Sequence, residues 1–159
     1  MKKSTLAATT LAVATAAGTG SIASPKRVPA WYSRLRKPSY QPPGAAFPVV
    51  WTTLYGNIAA TSAVAIDRLR AAGQHDKARR YAAALSLNLL LNAGWTWLFF
   101  HYHKLGASAL GAAALTASSA DLARRAAEAD RRARSALSAY PLWGAFATVL
   151  ATHVWRLNR

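Results

Sequence analysis

Residues 47–66 and 81–100 contain no Asp, Glu, Lys or Arg at any position. A helix at the surface of a water-soluble bundle carries charge on its outer face at 3.6-residue spacing, and these segments have no such face. About 20 apolar residues rising 1.5 Å each cover the roughly 30 Å hydrocarbon core of a bilayer. A central Lys, Arg or Asp costs about 2.5 to 3.5 kcal/mol on insertion scales, which accounts for the exclusion. The pattern predicts membrane-spanning helices rather than a soluble bundle.

Three further segments approach the same length: residues 4–24, 105–123 (around Asp121) and 136–155 (interrupted by Pro141). The first, with Lys2-Lys3 ahead of an Ala/Thr-rich stretch and Ser21-Ile22-Ala23 behind it, also fits a cleavable signal peptide, which would leave four spans. The fourth is rich in Ala and Gly. Its Ala109, Ala113 and Ala117 lie four apart, a spacing that lets helix backbones approach closely in lipid, so it is expected to be a packing helix.

Composition makes sense only against these windows. The chain of 159 residues carries a formal charge of +15, yet 53% of it is hydrophobic, so charge and apolar residues must be segregated. Basic residues cluster at 26–27, 34–37, 68–80 and 124–134, between the apolar segments. A nucleic-acid surface would spread them over one face, and that function is set aside. The length suits one domain. With five spans, 12 of the 20 basic residues fall on the N-terminal side of the membrane, which favours a cytoplasmic N-terminus. Trp31, Tyr32, Tyr40, Tyr81, Tyr102 and Trp155 fall at span ends, where amphipathic rings meet the headgroups.

Chemistry within the spans is concentrated on few positions. Asn88, Asn92, Trp95 and Phe99 recur at steps of four, three and four and share one helix face. An amide in hydrocarbon costs several kcal/mol unless bonded, so both Asn residues should meet other helices or a ligand. Trp51 and Tyr55 lie four apart on the second span, and Trp143, Ala147 and Leu150 share a face of the fifth. Three tryptophans on three spans, accompanied by Thr52, Asn92 and Thr96, make the mixture expected of an apolar pocket with a few orienting bonds.

Other chemistries are poorly served. There is no cysteine. His101 and His103 are two apart and point in different directions, with no carboxylate near them, so no metal site is expected. No Ser/His/Asp set or phosphate-cradling Gly loop occurs, and catalytic residues are not assigned.

Longer motifs resemble a known family. Trp31-Tyr32, Leu35, Lys37-Pro38, Pro42-Pro43, Phe47, Trp51-Thr52 and Leu54-Tyr55 form the first block. Asn92, Trp95 and Phe99-Phe100 form the second. Tyr140-Pro141, Trp143, Phe146-Ala147, Leu150, Trp155 and Leu157-Asn158 form the third. Together they resemble the TspO/MBR family, the translocator proteins once called peripheral-type benzodiazepine receptors. The resemblance implies an all-α integral membrane bundle of five transmembrane helices in which the first segment is retained. It also implies an intrabundle pocket for porphyrins, haem and, in animal members, cholesterol and synthetic ligands.

Family pocket residues fall on Tyr32, Trp51, Asn92, Trp95, Thr96, Trp143 and Ala147, to which the residue pattern adds Phe99, Pro42 and Pro43. The two prolines cannot continue a helix and are expected to fix an extended turn, laying residues 31–40 across the bundle mouth within a lid of about residues 25–46. There Arg34, Arg36 and Lys37 are expected to meet ligand carboxylates or anionic headgroups. Tyr40, Ala45 and Ala151 depart from the family pattern, and Thr152 and His153 stand where the cholesterol motif needs a Tyr, so cholesterol recognition is not expected.

The resulting expectation is a multi-pass protein of a bacterial cell membrane that binds a tetrapyrrole, with no required cofactor, for transport, sensing or regulated disposal. A light-dependent porphyrin-degrading enzyme using Trp51 and Trp143, and a structural or partner-binding membrane protein, are the alternatives. Lipids are implied partners, and a homodimer is compatible with the pattern without being required by it.

Overall fold

The computed structural model describes residues 1–24 and 29–159, so the Lys26-Arg27 pair and lid residues 25–28 lie outside the described residues. Five long helices make up the bundle: α1 (Lys3–Ala23), α3 (Ala46–Ala71), α4 (His75–Thr96), α5 (Leu105–Ala129) and α7 (Ala139–Leu157). Two short ones, α2 (Ala30–Arg34) and α6 (Arg131–Leu137), lie between them, and α4 continues into a single π turn, Trp97–His101. No strand occurs among the described residues. By length and composition α1, α3 and α4 with its π turn are each apolar enough to cross a membrane.

Helix ends follow from local chemistry. Gly73, at φ 71°, turns α3 into α4 in a conformation that side-chain-bearing residues resist. Asp130 is extended, and its carboxylate accepts the Arg132 N–H at 3.0 Å, capping α6. The same carboxylate pairs with Arg68 at 2.9 Å, tying the end of α3 to the start of α6. Pro141 sits in the first turn of α7, where a missing N–H costs nothing, so the interrupted segment 136–155 is in fact two helices meeting at Ser138.

The carboxylates gather at this end of the bundle. Asp67 accepts from the Lys2 N–H and from Thr5 Oγ1 at 2.7 Å, which holds the start of α1 against the end of α3. Burial pushes the Asp67 pKa up, but the Lys2 and Thr5 hydrogen bonds and nearby positive charge outweigh it and leave the group below its ordinary value. Arg79, bonded at 2.8 Å, likewise holds Asp76 below the usual range.

Packing sets α1 against α3 and α4, α4 against α5, and α5 against α7. Ile58, Ala63, Ala65, Leu122 and Ala126 are sealed in the interior. Two expectations are corrected here. Tyr81, at its span end, does not turn its ring outward to the headgroups: it is 1% exposed, with its hydroxyl 3.1 Å from Ser62 Oγ in the core. Of the expected stripe Ala109, Ala113 and Ala117 on α5, only Ala109 is buried; Ala113 and Ala117 are exposed. The packing face of α5 is rotated to Ser108, Ala112, Leu115, Ser119 and Leu122. Against α7 the approach is very close: a Cβ built on Gly144 would lie 2.7 Å from Thr116 Oγ1, and the Thr116 and Thr148 hydroxyls bond at 3.0 Å.

Candidate ligand cavity and its lid

While α7 packs along α5, it stands off from α3 and α4. The gap is a cavity of about 480 Å³ walled by large rings. From α3 come Phe47, Trp51, Thr52 and Tyr55; from α4 and its π turn, Asn92, Trp95, Thr96, Phe99 and Phe100; from α7, Trp143, Ala147, Leu150 and Val154. Trp95 stacks on Phe99 at 5.7 Å and 19°, and Trp143 meets the Phe47 edge at 5.9 Å. In the π turn the Tyr102 N–H reaches back to the Trp97 carbonyl at 3.0 Å. The wide turn leaves two successive rings, Phe99 and Phe100, both on the cavity wall.

Behind the rings lies a chain of hydrogen bonds. The Tyr55 hydroxyl donates to Asn92 Oδ1 at 2.8 Å, and Asn92 Nδ2 donates to the Tyr140 hydroxyl at 3.2 Å. Tyr140 in turn donates to Asn88 Oδ1 at 2.9 Å, and Asn88 Nδ2 donates to Ser118 Oγ at 3.2 Å. Buried amides that would be costly in hydrocarbon are thus bonded on both sides. The buried Trp95 and Trp143 indole N–H groups have no such partner among the described residues.

The lid closes the cavity with Pro29, Tyr32, Lys37, Gln41 and Gly44. Asn158 clasps the Arg36 backbone at both ends: the Arg36 N–H donates to its Oδ1 at 2.9 Å, and its Nδ2 donates to the Arg36 carbonyl at 2.9 Å. The Tyr40 hydroxyl meets His153 Nδ1 at 2.6 Å, and Gln41 Nε2 donates to the Tyr32 hydroxyl at 3.2 Å. Trp31 rests on His103, ring to ring at 4.0 Å, and Lys37 Nζ lies 4.5 Å above the Tyr32 ring.

Tyr32, Trp51, Asn92, Trp95, Thr96, Phe99, Trp143 and Ala147 are therefore brought together around one cavity, as is Lys37. Pro42 and Pro43 shape the lid without lining the cavity, and Arg34 and Arg36 are exposed outside it. The lid is also not wholly extended, because residues 30–34 form the helical turn α2. Sequence reasoning missed the contribution of α1, where Ala17, Gly20 and Ser21 reach the cavity. Gly20 admits this close crossing, since a Cβ there would stand 3.3 Å from Thr96 Oγ1. Small residues of this kind carry no chemical signal in a sequence.

The sequence pattern of the TspO/MBR family matches residues 8–156. This chain belongs to that family. It is 34% identical to Protein CrtK of Rhodobacter capsulatus over 148 residues, which cover 93% of this chain and 89% of that protein. It is 30% identical to the human Translocator protein over 128 residues, 80% of this chain and 75% of that one. It is also 25% identical to the Tryptophan-rich protein TspO of Bacillus cereus over 128 residues, 80% of each. As a TspO/MBR member it is an integral membrane protein whose five long helices form the transmembrane bundle. Its departures from the family pattern have local structural roles. Tyr40 supplies the hydroxyl that meets His153, Ala151 packs with Ala109 and Ala112 at the α5–α7 seam, and Ala45 is exposed just before α3.

Proposed function

We propose that this TspO/MBR protein binds a tetrapyrrole, a porphyrin or haem, in the ring-walled cavity, for transport, sensing or regulated disposal at a bacterial cell membrane. The observation that carries the reading is the convergence of Trp51, Trp95 and Trp143, from three different helices, on one cavity of about 480 Å³. That volume lies within the roughly 300 to 1,000 Å³ range of small-molecule sites, and flat aromatic walls suit a flat ligand. Lys37 at the lid, with Arg34 and Arg36 outside it, supplies cations where propionates would emerge into water. Anionic lipid headgroups are the competing partners for these exposed cations.

Titration of the purified protein with protoporphyrin in the dark tests the reading. Saturable quenching of tryptophan fluorescence is the expected result; its absence removes the ligand hypothesis. A second reading, light-dependent porphyrin breakdown, draws support from Trp51 and Trp143 lining the same cavity. Illumination of the bound complex separates the two, since a new pigment lost in Trp51→Phe and Trp143→Phe would favour chemistry over binding alone.

A further inference from the structure

The bonds behind the cavity all run in one direction. Tyr55 donates to Asn92, Asn92 to Tyr140, Tyr140 to Asn88, and Asn88 to Ser118. A hydroxyl has one proton to give, so each commitment fixes the next. Because Tyr140 gives its proton to Asn88, its oxygen faces Asn92 as an acceptor. The Asn92 amide is then held with Nδ2 toward Tyr140 and Oδ1 toward Tyr55, and the Tyr55 proton is consumed in turn. Thr96, beside them, spends its proton on the Asn92 carbonyl at 3.3 Å. Thr52, also on this wall, has no hydrogen-bond partner among the described residues, and Asn92 keeps a second N–H. At Tyr55 and Thr96 only lone pairs are left, so at those two hydroxyls the wall can only accept.

The indoles do not reverse that balance. The Trp95 and Trp143 N–H groups are closed off from the cavity surface by surrounding atoms, so their donors do not face a ligand. We propose that Tyr140, backed by Asn88 and Ser118, is a positioning residue that makes the Tyr55 hydroxyl a hydrogen-bond acceptor toward the cavity, so that the preferred ligand presents an N–H or O–H donor there. Tyr140 is 1% exposed and does not line the cavity, so it acts only through Asn92 and Tyr55. The inference rests on the reading of the cavity as a site for flat ligands and adds the polarity of the edge turned inward. A protoporphyrin or haem with its propionates at the lid offers only C–H groups to that edge, so a flat ligand bearing an N–H or O–H there should be preferred over either.

A matched pair of flat probes tests it: 2-naphthol, with an O–H donor, and 2-methoxynaphthalene, its methyl ether. Each is measured by displacement of protoporphyrin from the purified protein. The wild-type chain should bind the naphthol about fivefold more tightly, the size expected for one hydrogen bond. Tyr140→Phe should bring that ratio close to one. Tyr81→Phe removes an equally buried hydroxyl, bonded to Ser62 and remote from the cavity, and should leave the ratio unchanged.

If Tyr140→Phe does not fold, Ser118→Ala shortens the same chain at its far end and should still lower the ratio. A wild-type ratio of one or less, or a ratio untouched by both Tyr140→Phe and Ser118→Ala, overturns the proposal. Failure of protoporphyrin itself to quench the wild-type protein has a different meaning: it removes the reading of the cavity, and the role of Tyr140 with it.

Discussion

The two sides of α7 are built from side chains of opposite size and have opposite outcomes. Toward α5 it presents Gly144, Thr148 and Ala151, and the helices close until Gly144 has no room for a methyl group. Toward α3 and α4 it presents Trp143 and Tyr140, and the helices stay apart, bridged by side chains around a hole. In a membrane there is no aqueous penalty driving helices together, so the size of the facing side chains decides how near they come. Small residues make a seam; rings make a chamber. The same helix must do both for the chamber to have a fixed wall.

Breaking the seam should have the largest effect. Gly144→Leu forces a branched side chain into the Thr116 backbone and should prevent recovery of folded protein, while Gly144→Ala should cost about 1 to 3 kcal/mol, read as a lowered midpoint of thermal unfolding in detergent. On the chamber side, Asn92→Leu should weaken protoporphyrin binding about tenfold or more with insertion intact, and an unchanged affinity would refute its place in the site. Filling the chamber sharpens the contrast: Ala147→Leu should reduce the binding capacity severalfold yet leave the melting midpoint within a few degrees, since the volume it enters is empty.

The smallest effect concerns the far end of α3. Asp67 has a folded-state pKa below its unfolded value, so its contribution is complete above the ordinary carboxylate value of about 4 and is lost as pH falls through the lowered value. Acid should therefore loosen α1 from α3 only in strongly acidic solution. Amide exchange at residues 3–9 measures this, and Asp67→Asn should exchange at an acid-independent protection level.

How much of this was legible depends on which physical signal a residue leaves in a sequence. Exclusion of charge marks a span from any direction, which is why residues 47–66 and 81–100 announced α3 and α4. Large rings and isolated amides mark a wall, and Trp51, Asn92, Trp95 and Trp143 were legible for that reason. Alanines in an alanine-rich helix leave no such mark: spacing by four names a stripe but not which of several stripes, and α5 chose the one through Ala112 rather than the one through Ala113. Tyr81 at a span end reads identically whether it meets headgroups or Ser62. The π turn leaves no recognisable sign in the residues Trp97–His101, and a five-residue helix such as α2 is shorter than any periodic signal.

The clasp between Asn158 and Arg36 joins positions 122 apart. A ribosome emits the roof long before the pair of bonds that fastens it, and the fastening waits until the final helix has entered the bilayer. Completion of the chamber therefore waits for α7, and a chain stalled before it lacks both the Trp143 wall and the bonds that fasten the roof.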